Sequence, residues 1–542
     1  MSSVRNRLEP FLWDLLQEFK EDGSGPKRYT NEVIKSYLDV LENGLQDTTT
    51  KKNVAVIGAG VSGLLAARLL AEAGHKVTVY EANTAVGGRI KTIREPFKWG
   101  QTAEAGAMRL PSTYQLVLHL IKEKYKLPVT KFYNYDENGN NFIFVNGVKV
   151  RRKEYLSNPD CLQWPGLRDD EKGKTAETLW QEATQPLIDQ AKTASGWLDV
   201  IEQYGDYSVH EFLKHVTKYS PAAIEFIEVL MNLESRSSLS LIQQIIEEAD
   251  HTPGTDYVGI VGGTDRLTNC MAEDLKSLKV PIHCNHRLTK IEYTETETVK
   301  LSFSGTKSRP LQWRGGDGIW ANPSPDAVEY DAVVLTIPFP ALRFVDIQPL
   351  HKFSHNKRKA IRELNYDAST KIFLQFSERF WETQDGMYGG HTITDLANRF
   401  IYYLTPEHED QKGGIIISSY TWAREAQGWD SLTEEERVQN SLNVLAQIHG
   451  EYIRDYFVVG TSQSWQLDTF SCGEAAMFDP GQIQELKYYI SEPEGNVYFA
   501  GDLTSLKIAW IEGAVESGIR VAQEVNGDVH FPAMLPSETS TS

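Results

Sequence analysis

Three glycines carry the first chemistry in this chain. Gly58, Gly60 and Gly63 follow the apolar run at 54–57, and Val61 and Ser62 stand between the last two. This spacing suits a backbone cradle for a pyrophosphate: Gly58 allows a tight turn, Gly60 lets the main chain approach the phosphates, and Gly63 lets a helix pack closely on the strand before it. A helix starting there aims free N–H groups and the positive end of its dipole at the anion. Glu81, about twenty residues on, ends a second apolar run and can accept hydrogen bonds from a ribose. A second glycine pair, Gly87-Gly88, leads into Arg89 and provides another close backbone approach with a cation beside a diphosphate. Further on, Ala105, Gly106 and Ala107 are small enough to lie against a flat ring, and Arg109 follows at once. An arginine held there can clamp a carboxylate through two parallel hydrogen bonds. It can equally pair with a structural acid, and the residue type leaves both roles open. Lys371 sits in an alternating run with Phe373 and Gln375 on its face; by pattern alone it is a strand-mouth lysine snorkelling to water.

These residues need a scaffold, and the chain is long enough to supply one. It has 542 residues, a net charge of −19 and four cysteines. The acidity argues against nucleic acid or an anionic membrane as partner. Cys161, Cys270, Cys284 and Cys472 are scattered, without metal-site or disulfide spacing. His251, His283 and His286 make no metal set either, and read as surface or core histidines. Residues 1–8 lack the apolar core of a signal peptide, so an intracellular, cytoplasmic protein is expected.

The pattern predicts a strand–turn–helix–strand unit over 54–81, with the helix at 64–72. Helices follow at 114–124, 174–195, 199–204, 209–218, 222–233 and 239–248, and a hairpin over 141–150 turns at Asn146-Gly147. Strands are expected at 280–291, 331–338, 371–376, 399–403, 413–420 and 496–502, and a last helix starts near 509. Phe11, Leu12, Leu15, Leu16 and Phe19 share a helical face and suggest an N-terminal packing arm within 1–50; the Pro- and Ser-rich stretch 528–542 is expected to be disordered.

The acid at Glu81, the spacer, Gly87-Gly88-Arg89 and the run Gly106-Ala-Met-Arg-Leu-Pro111 resemble the flavin-containing amine oxidase superfamily, in its L-amino acid oxidase version. The resemblance covers roughly residues 50–525. It implies an α/β fold with a Rossmann-type FAD-binding domain assembled from 51–111, 256–337 and 491–527, a helical lobe at 112–255, and a mixed-sheet substrate domain at 338–490. It favours FAD over NAD, held non-covalently because no cysteine lies in a linking motif. The implied cofactor contacts are Gly58, Gly60, Val61, Ser62, Gly63, Glu81, Ala82, Gly88, Arg89, Gly106, Ala107, Met108, Arg109, Leu288, Trp465, Gly501, Asp502, Trp510 and Ile511. Family members more often have Glu at the Asp502 position.

The same resemblance gives Arg109 the substrate α-carboxylate, with Tyr403 opposite it and Tyr402 as the fallback. Ala509 and Trp510 form a wall of the substrate site. Lys371 becomes the catalytic lysine that holds a water at the flavin and assists re-oxidation by oxygen. The implied reaction is hydride transfer from Cα of an L-amino acid, giving a 2-oxo acid, ammonia and hydrogen peroxide. No metal is implied; amino acid and oxygen are the small-molecule partners, and homo-oligomers are the family habit. Two enzymes share much of this pattern: a monoamine or polyamine oxidase, which lacks the need for Arg109, and a flavin monooxygenase that turns an amino acid into an amide. A flavin-stabilised scaffold without activity is the rival of another class.

Overall fold

The apolar strand Asn53–Ile57 is buried on both faces because it lies in the middle of a parallel sheet. In the computed structural model, which describes residues 19–20, 28–29, 32–250, 255–305, 327–408 and 410–528, this sheet has five strands in the order Ile282–His283, Lys76–Tyr80, Asn53–Ile57, Ala332–Leu335 and Val497–Phe499. Its strands therefore come from three well-separated stretches of chain, each pairing parallel with its neighbours. Helix Val61–Glu72 is buried from Val61 to Leu70. It packs against helices Ile511–Asn526 and Asp265–Ser277, so it has no face left for solvent. Gly518 permits the helix contact: a Cβ there would stand 2.9 Å from the Ser62 carbonyl oxygen. Ser62 Oγ lies 3.1 Å from Ser517 Oγ, which accepts from the Gly501 N–H at 3.0 Å. These bonds tie the first glycine turn to the C-terminal segment.

A second, seven-stranded sheet runs in the order Val148–Arg151, Phe142–Val145, His391–Thr394, Phe400–Tyr403, Gly414–Trp422, Ser369–Phe376 and Phe457–Ser464. Strand Ser369–Phe376 is buried at every position. Ile372, Leu374 and Phe376 join a core with Leu442 and Leu445 of helix Glu434–His449. Phe373 faces the other core, and Gln375 donates to the Lys98 carbonyl oxygen at 3.0 Å. The hairpin at 142–151 extends this sheet through parallel pairing of Ile143 with Ile393, so it does not belong with the helical lobe that the sequence suggests. The lobe itself holds helices Ala176–Gln190, Ala194–Tyr204, Val209–His215, Pro221–Leu230 and Leu241–Asp250.

Two other expectations change. The single helix over 174–195 is two helices, because Thr193 caps a new one by accepting from the Gly196 N–H at 3.0 Å. The strand over 280–291 is broken at Asn285, whose φ is +60°. Ile282–His283 stays in the parallel sheet, while His286–Tyr293 enters a separate four-stranded sheet. The amphipathic arm around residues 11–19 and the tail 528–542 lie outside the described residues, save for Phe19 and Asp528. Among the described residues no helix is long and apolar enough to cross a membrane.

The close approach at the first turn makes a prediction. A Cβ on Gly63 would lie 2.0 Å from the Gly58 carbonyl oxygen. Gly63→Ala is expected to cost about 1–3 kcal/mol of stability through overpacking, seen as a lower thermal midpoint than wild type; an unchanged midpoint would count against this packing role.

Candidate active site

A cavity of about 430 Å³ opens at the carboxyl ends of the parallel strands. Gly58, Gly60, Val61, Ser62, Glu81, Ala82, Gly88, Arg89, Leu288, Gly501 and Asp502 line it, together with Gly106 to Arg109, Trp465, Ala509, Trp510 and Ile511. Gly63 lies behind the turn, where its missing side chain makes room for the Gly58 carbonyl. Gly58 has φ +110°, and a Cβ there would meet Thr336 Oγ1 at 2.4 Å. On Gly60 a Cβ would meet only the Gly87 oxygen, at 4.0 Å, so this position faces open space. The two glycine turns thus leave bare backbone and a helix N-terminus facing one groove, a site that fits a diphosphate.

Glu81 braces the turn as well as facing the cavity. Its carboxylate accepts from the Ala59 and Asn83 N–H groups, both at 2.7 Å. Burial pushes its pKa up, against the pull of those backbone donors. Arg89 pairs with Asp502, Nη1 reaching Oδ2 at 3.2 Å, and also donates to the Glu474 carbonyl oxygen at 2.7 Å. Asp502 Oδ2 further accepts from the Ala509 N–H at 3.0 Å. These two residues lock the second glycine turn to the C-terminal segment. Ala509 has φ +68°, a left-handed conformation in which its Cβ crowds the following carbonyl oxygen and which glycine would adopt more readily. The last helix begins at Ile511 rather than at 509, with Trp510 as its N-cap.

The strip at 104–109 runs between this cavity and strand Ser369–Phe376 of the seven-stranded sheet. It is held by its carbonyl groups. Lys371 Nζ donates to Gly106 O at 2.6 Å and to Glu104 O at 3.2 Å. Trp465 Nε1 donates to Ala105 O at 3.0 Å. A Cβ on Gly106 would collide with the Arg89 oxygen at 1.8 Å. Lys371 is therefore neither at a strand mouth nor in water: it is 1% exposed, sits 4.4 Å from the Tyr420 ring centre, and lies behind the strip rather than on the cavity wall. Burial pulls its pKa down to about 8, against the nearby carboxylates of Glu474 and Glu104.

Arg109 reaches Tyr402, not Tyr403. Its Nη1 donates to the Tyr402 hydroxyl oxygen at 3.3 Å and also bonds Asn134 Oδ1. The guanidinium carbon stands 5.2 Å from the Tyr257 ring centre and 5.7 Å from that of Tyr402. Burial works against its charge, and the hydroxyls of Tyr402 and Tyr257 outweigh it, so the pKa is raised. Side chains alternate along a strand. Phe400 and Tyr402 face the cavity, whereas Ile401 and Tyr403 face the core behind the sheet. Tyr403 OH is 2.8 Å from both Thr392 Oγ1 and His449 Nε2, and His449 Nδ1 is 2.7 Å from Asp385 Oδ2. The place beside Arg109 expected for Tyr403 is thus taken by Tyr402.

Much of the remaining wall was not expected from the sequence. Tyr420 and Trp422 come from strand Gly414–Trp422, and Asn232, Arg236, Gln244 and Glu247 come from the helical lobe. The helical periodicity of the lobe marks buried faces without saying which of them meets a cavity. His286 also lines the cavity. Among the described residues no group of three or more His, Cys, Asp or Glu is placed to hold a metal, and all four cysteines are free thiols.

Glu104 adds a pH-dependent element next to the strip. Its carboxylate accepts from Thr264 N at 2.9 Å and from Thr92 Oγ1 at 3.0 Å. Burial nevertheless pushes its pKa up to about 7 from 4.5. The folded protein then holds a proton that the unfolded chain has released, so stability is full below pH 4.5 and falls as pH rises through 7. The loss is on the order of 1–3 kcal/mol. Glu104→Gln is expected to flatten thermal stability over this range; the wild-type slope in the variant would overturn the assignment.

The sequence profile described as flavin containing amine oxidoreductase matches residues 61–526. The chain is 39% identical over 506 residues to the YobN protein of Bacillus subtilis, covering 90% of this chain and 98% of that one. It is 35% identical over 492 residues to the L-amino-acid oxidase of Siganus canaliculatus, covering 90% and 88%. Among solved structures, putrescine oxidase bound to putrescine shares the fold with a TM-score of 0.68 at 20% identity, over 88% of this chain and 99% of the other. Matched from the first residue of the helix after the glycine turn to the end of the C-terminal helix that closes the cradle, the chain belongs to the flavin-containing amine oxidoreductase family.

Proposed function

We propose that the protein is an L-amino acid oxidase that holds FAD non-covalently, uses oxygen as its second substrate, and produces hydrogen peroxide and an imino acid that water hydrolyses to a 2-oxo acid and ammonia. The observation that carries this reading is Arg109: a half-buried guanidinium on the cavity wall, next to the Tyr402 hydroxyl and directly after the strip that faces the cofactor groove. The related enzyme of Siganus canaliculatus is named for the same activity. A substrate without a carboxylate has no use for a cation at this point, which sets aside the mono- and polyamine oxidases.

The residues suggest how the reaction is supported. The bare glycine turns and the Val61 helix N-terminus fit the diphosphate of FAD, and the small residues of the strip fit the flat ring. When bound, the flavin supplies the hydride acceptor and passes the electrons to oxygen. Arg109 and Tyr402 hold the α-carboxylate from one side, which orients Cα and leaves the side chain toward the helical lobe. Trp510 and Ala509 close another wall. Positioning is the main contribution of these groups. The amine loses its proton to water. His391, whose ring centre is 5.1 Å from that of Tyr402, is a poor base for this step, because Asn134 O holds it at 2.6 Å and burial pulls its pKa down to about 3. Lys371 keeps the strip flat through two carbonyl bonds, and its third N–H remains for a water at the ring.

Anaerobic mixing with an L-amino acid, its D-isomer and the matching amine tests the proposal through flavin absorbance. Bleaching by the L-acid alone is expected, with aerobic release of 2-oxo acid and ammonia; an amide product would instead make it a monooxygenase. Arg109→Ala is expected to raise the substrate Kd about 100-fold or more with FAD retained, and Tyr402→Phe about five- to tenfold. Tyr403→Phe is expected to leave the Kd unchanged and to cost about 1–3 kcal/mol of stability by orphaning His449. The opposite ranking of the two tyrosines would restore Tyr403 to the site. Lys371→Met is expected to slow re-oxidation by oxygen more than anaerobic reduction, and equal effects on both half-reactions would reject its role.

A further inference from the structure

The wall beyond Arg109 carries a second guanidinium. Arg236 lines the same cavity, and its guanidinium carbon stands 4.7 Å from the Trp422 ring centre. Trp422 lies 4.0 Å from Tyr420, and Tyr420 lies 6.4 Å from Tyr402, centre to centre. An unbroken row of aromatic rings therefore connects the two arginines. Both act on the group in the middle of that row: Arg236 and Arg109 each pull the Tyr420 pKa down, against a larger rise from burial and Glu474.

Three donors at this end lack a partner. Arg236 Nε, Trp422 Nε1 and Asn232 Nδ2 are buried and make no hydrogen bond. Asn232 is 7% exposed. Arg236 Nη1 is 3.7 Å from Glu247 Oε2, which balances the charge. One acceptor, Glu474 Oε2, is also unpartnered, while Tyr420 OH donates to Glu474 Oε1 at 2.7 Å. Buried donors left unpaired cost stability, and the Arg236 side chain, 18% exposed on the cavity wall, offers a ligand oxygen a cation beside them. An aliphatic side chain would leave all three donors unpaired. A basic side chain would put a second cation against Arg236.

We infer that Arg236, with Trp422 and Asn232, selects L-amino acids whose side chain ends in a planar oxygen acceptor, a carboxylate or a carboxamide. This rests on the oxidase reading above, since it assumes that Arg109 holds the α-carboxylate. The substrate then spans the aromatic row with one planar oxygen group at each guanidinium. Arg236 is a specificity residue in this arrangement. The two candidate termini differ at Glu474: a carboxamide can donate to its open oxygen, and a carboxylate cannot.

The test is stopped-flow reduction of the flavin-loaded protein with L-glutamate, L-glutamine, L-norvaline and L-lysine, for wild type and for Arg236→Met and Arg236→Lys. In wild type, glutamate or glutamine should exceed norvaline in kcat/KM by at least tenfold, and lysine should be the poorest. In Arg236→Met the ratio to norvaline should fall at least tenfold, with flavin absorbance reporting the fold; Arg236→Lys should recover part of it. A purely structural arginine would lower all substrates together and leave the ratio intact, and that result would overturn the inference. So would a wild-type preference for norvaline or lysine, with the oxidase reading still standing. Failure of every L-amino acid to bleach the flavin would reject both.

Discussion

The strip at 104–109 lies between the two halves of the molecule, and the hydrogen bonds to its carbonyls hold it there. Lys371 binds the oxygens of Glu104 and Gly106, Trp465 binds that of Ala105, and the Ala105 N–H donates to Lys91 O at 2.9 Å. Consecutive carbonyls are thus fixed from the sheet side, which leaves Gly106, Ala107 and Met108 free to face the cavity. A buried ammonium is expensive unless its donors are used, and here two of them serve to keep the backbone in place. The small residues matter for the same reason. Any side chain at Gly106 would run into Arg89 O, and the strip would have to leave the sheet.

Alternation along the seven-stranded sheet then assigns every neighbour of that strip. Lys371 faces it and Phe373 and Gln375 face the stretch before it, at Phe97, Lys98 and Gln101, while Ile372, Leu374 and Phe376 support the core behind. The same rule splits two adjacent tyrosines between unrelated jobs. Tyr402 stands at Arg109, and Tyr403 bonds Thr392 and His449 deep in the other core. A shift of one residue would exchange them. The register is secured by pairing of Tyr402 with Ile417 and Tyr403 with Ile416, after an irregularity beyond Phe400.

Charge is distributed to suit an anionic substrate in a buried setting. Arg109 keeps its proton because tyrosine hydroxyls offset its desolvation. Arg236 has Glu247 within ion-pair distance, and Arg89 has Asp502. Arg109, by contrast, meets only neutral oxygens, from Asn134 and Tyr402, among its hydrogen bonds.

Most of the nucleotide half was legible in the sequence, because a glycine turn, the helix after it and the acid ending the next strand are local requirements of one strand–helix–strand unit. The backbone positions of Gly58, Gly60 and Gly63 carry their meaning wherever the rest of the chain goes. The substrate side was legible only in part. Arg109 could be found from its place after the strip, yet its partner could not, since two tyrosines in a row differ only in which face of a sheet they take. Lys371 could be placed on a strand, but its carbonyl partners lie more than 260 residues away. Arg236 and Trp422 gave no sequence signal, because an arginine in a helical lobe becomes part of a site only when a sheet from another segment is packed against it. The sequence alone determined the local backbone geometry of the cofactor cradle; the tertiary structure decided which side chains share the cavity, because strand register and long-range packing have no local code.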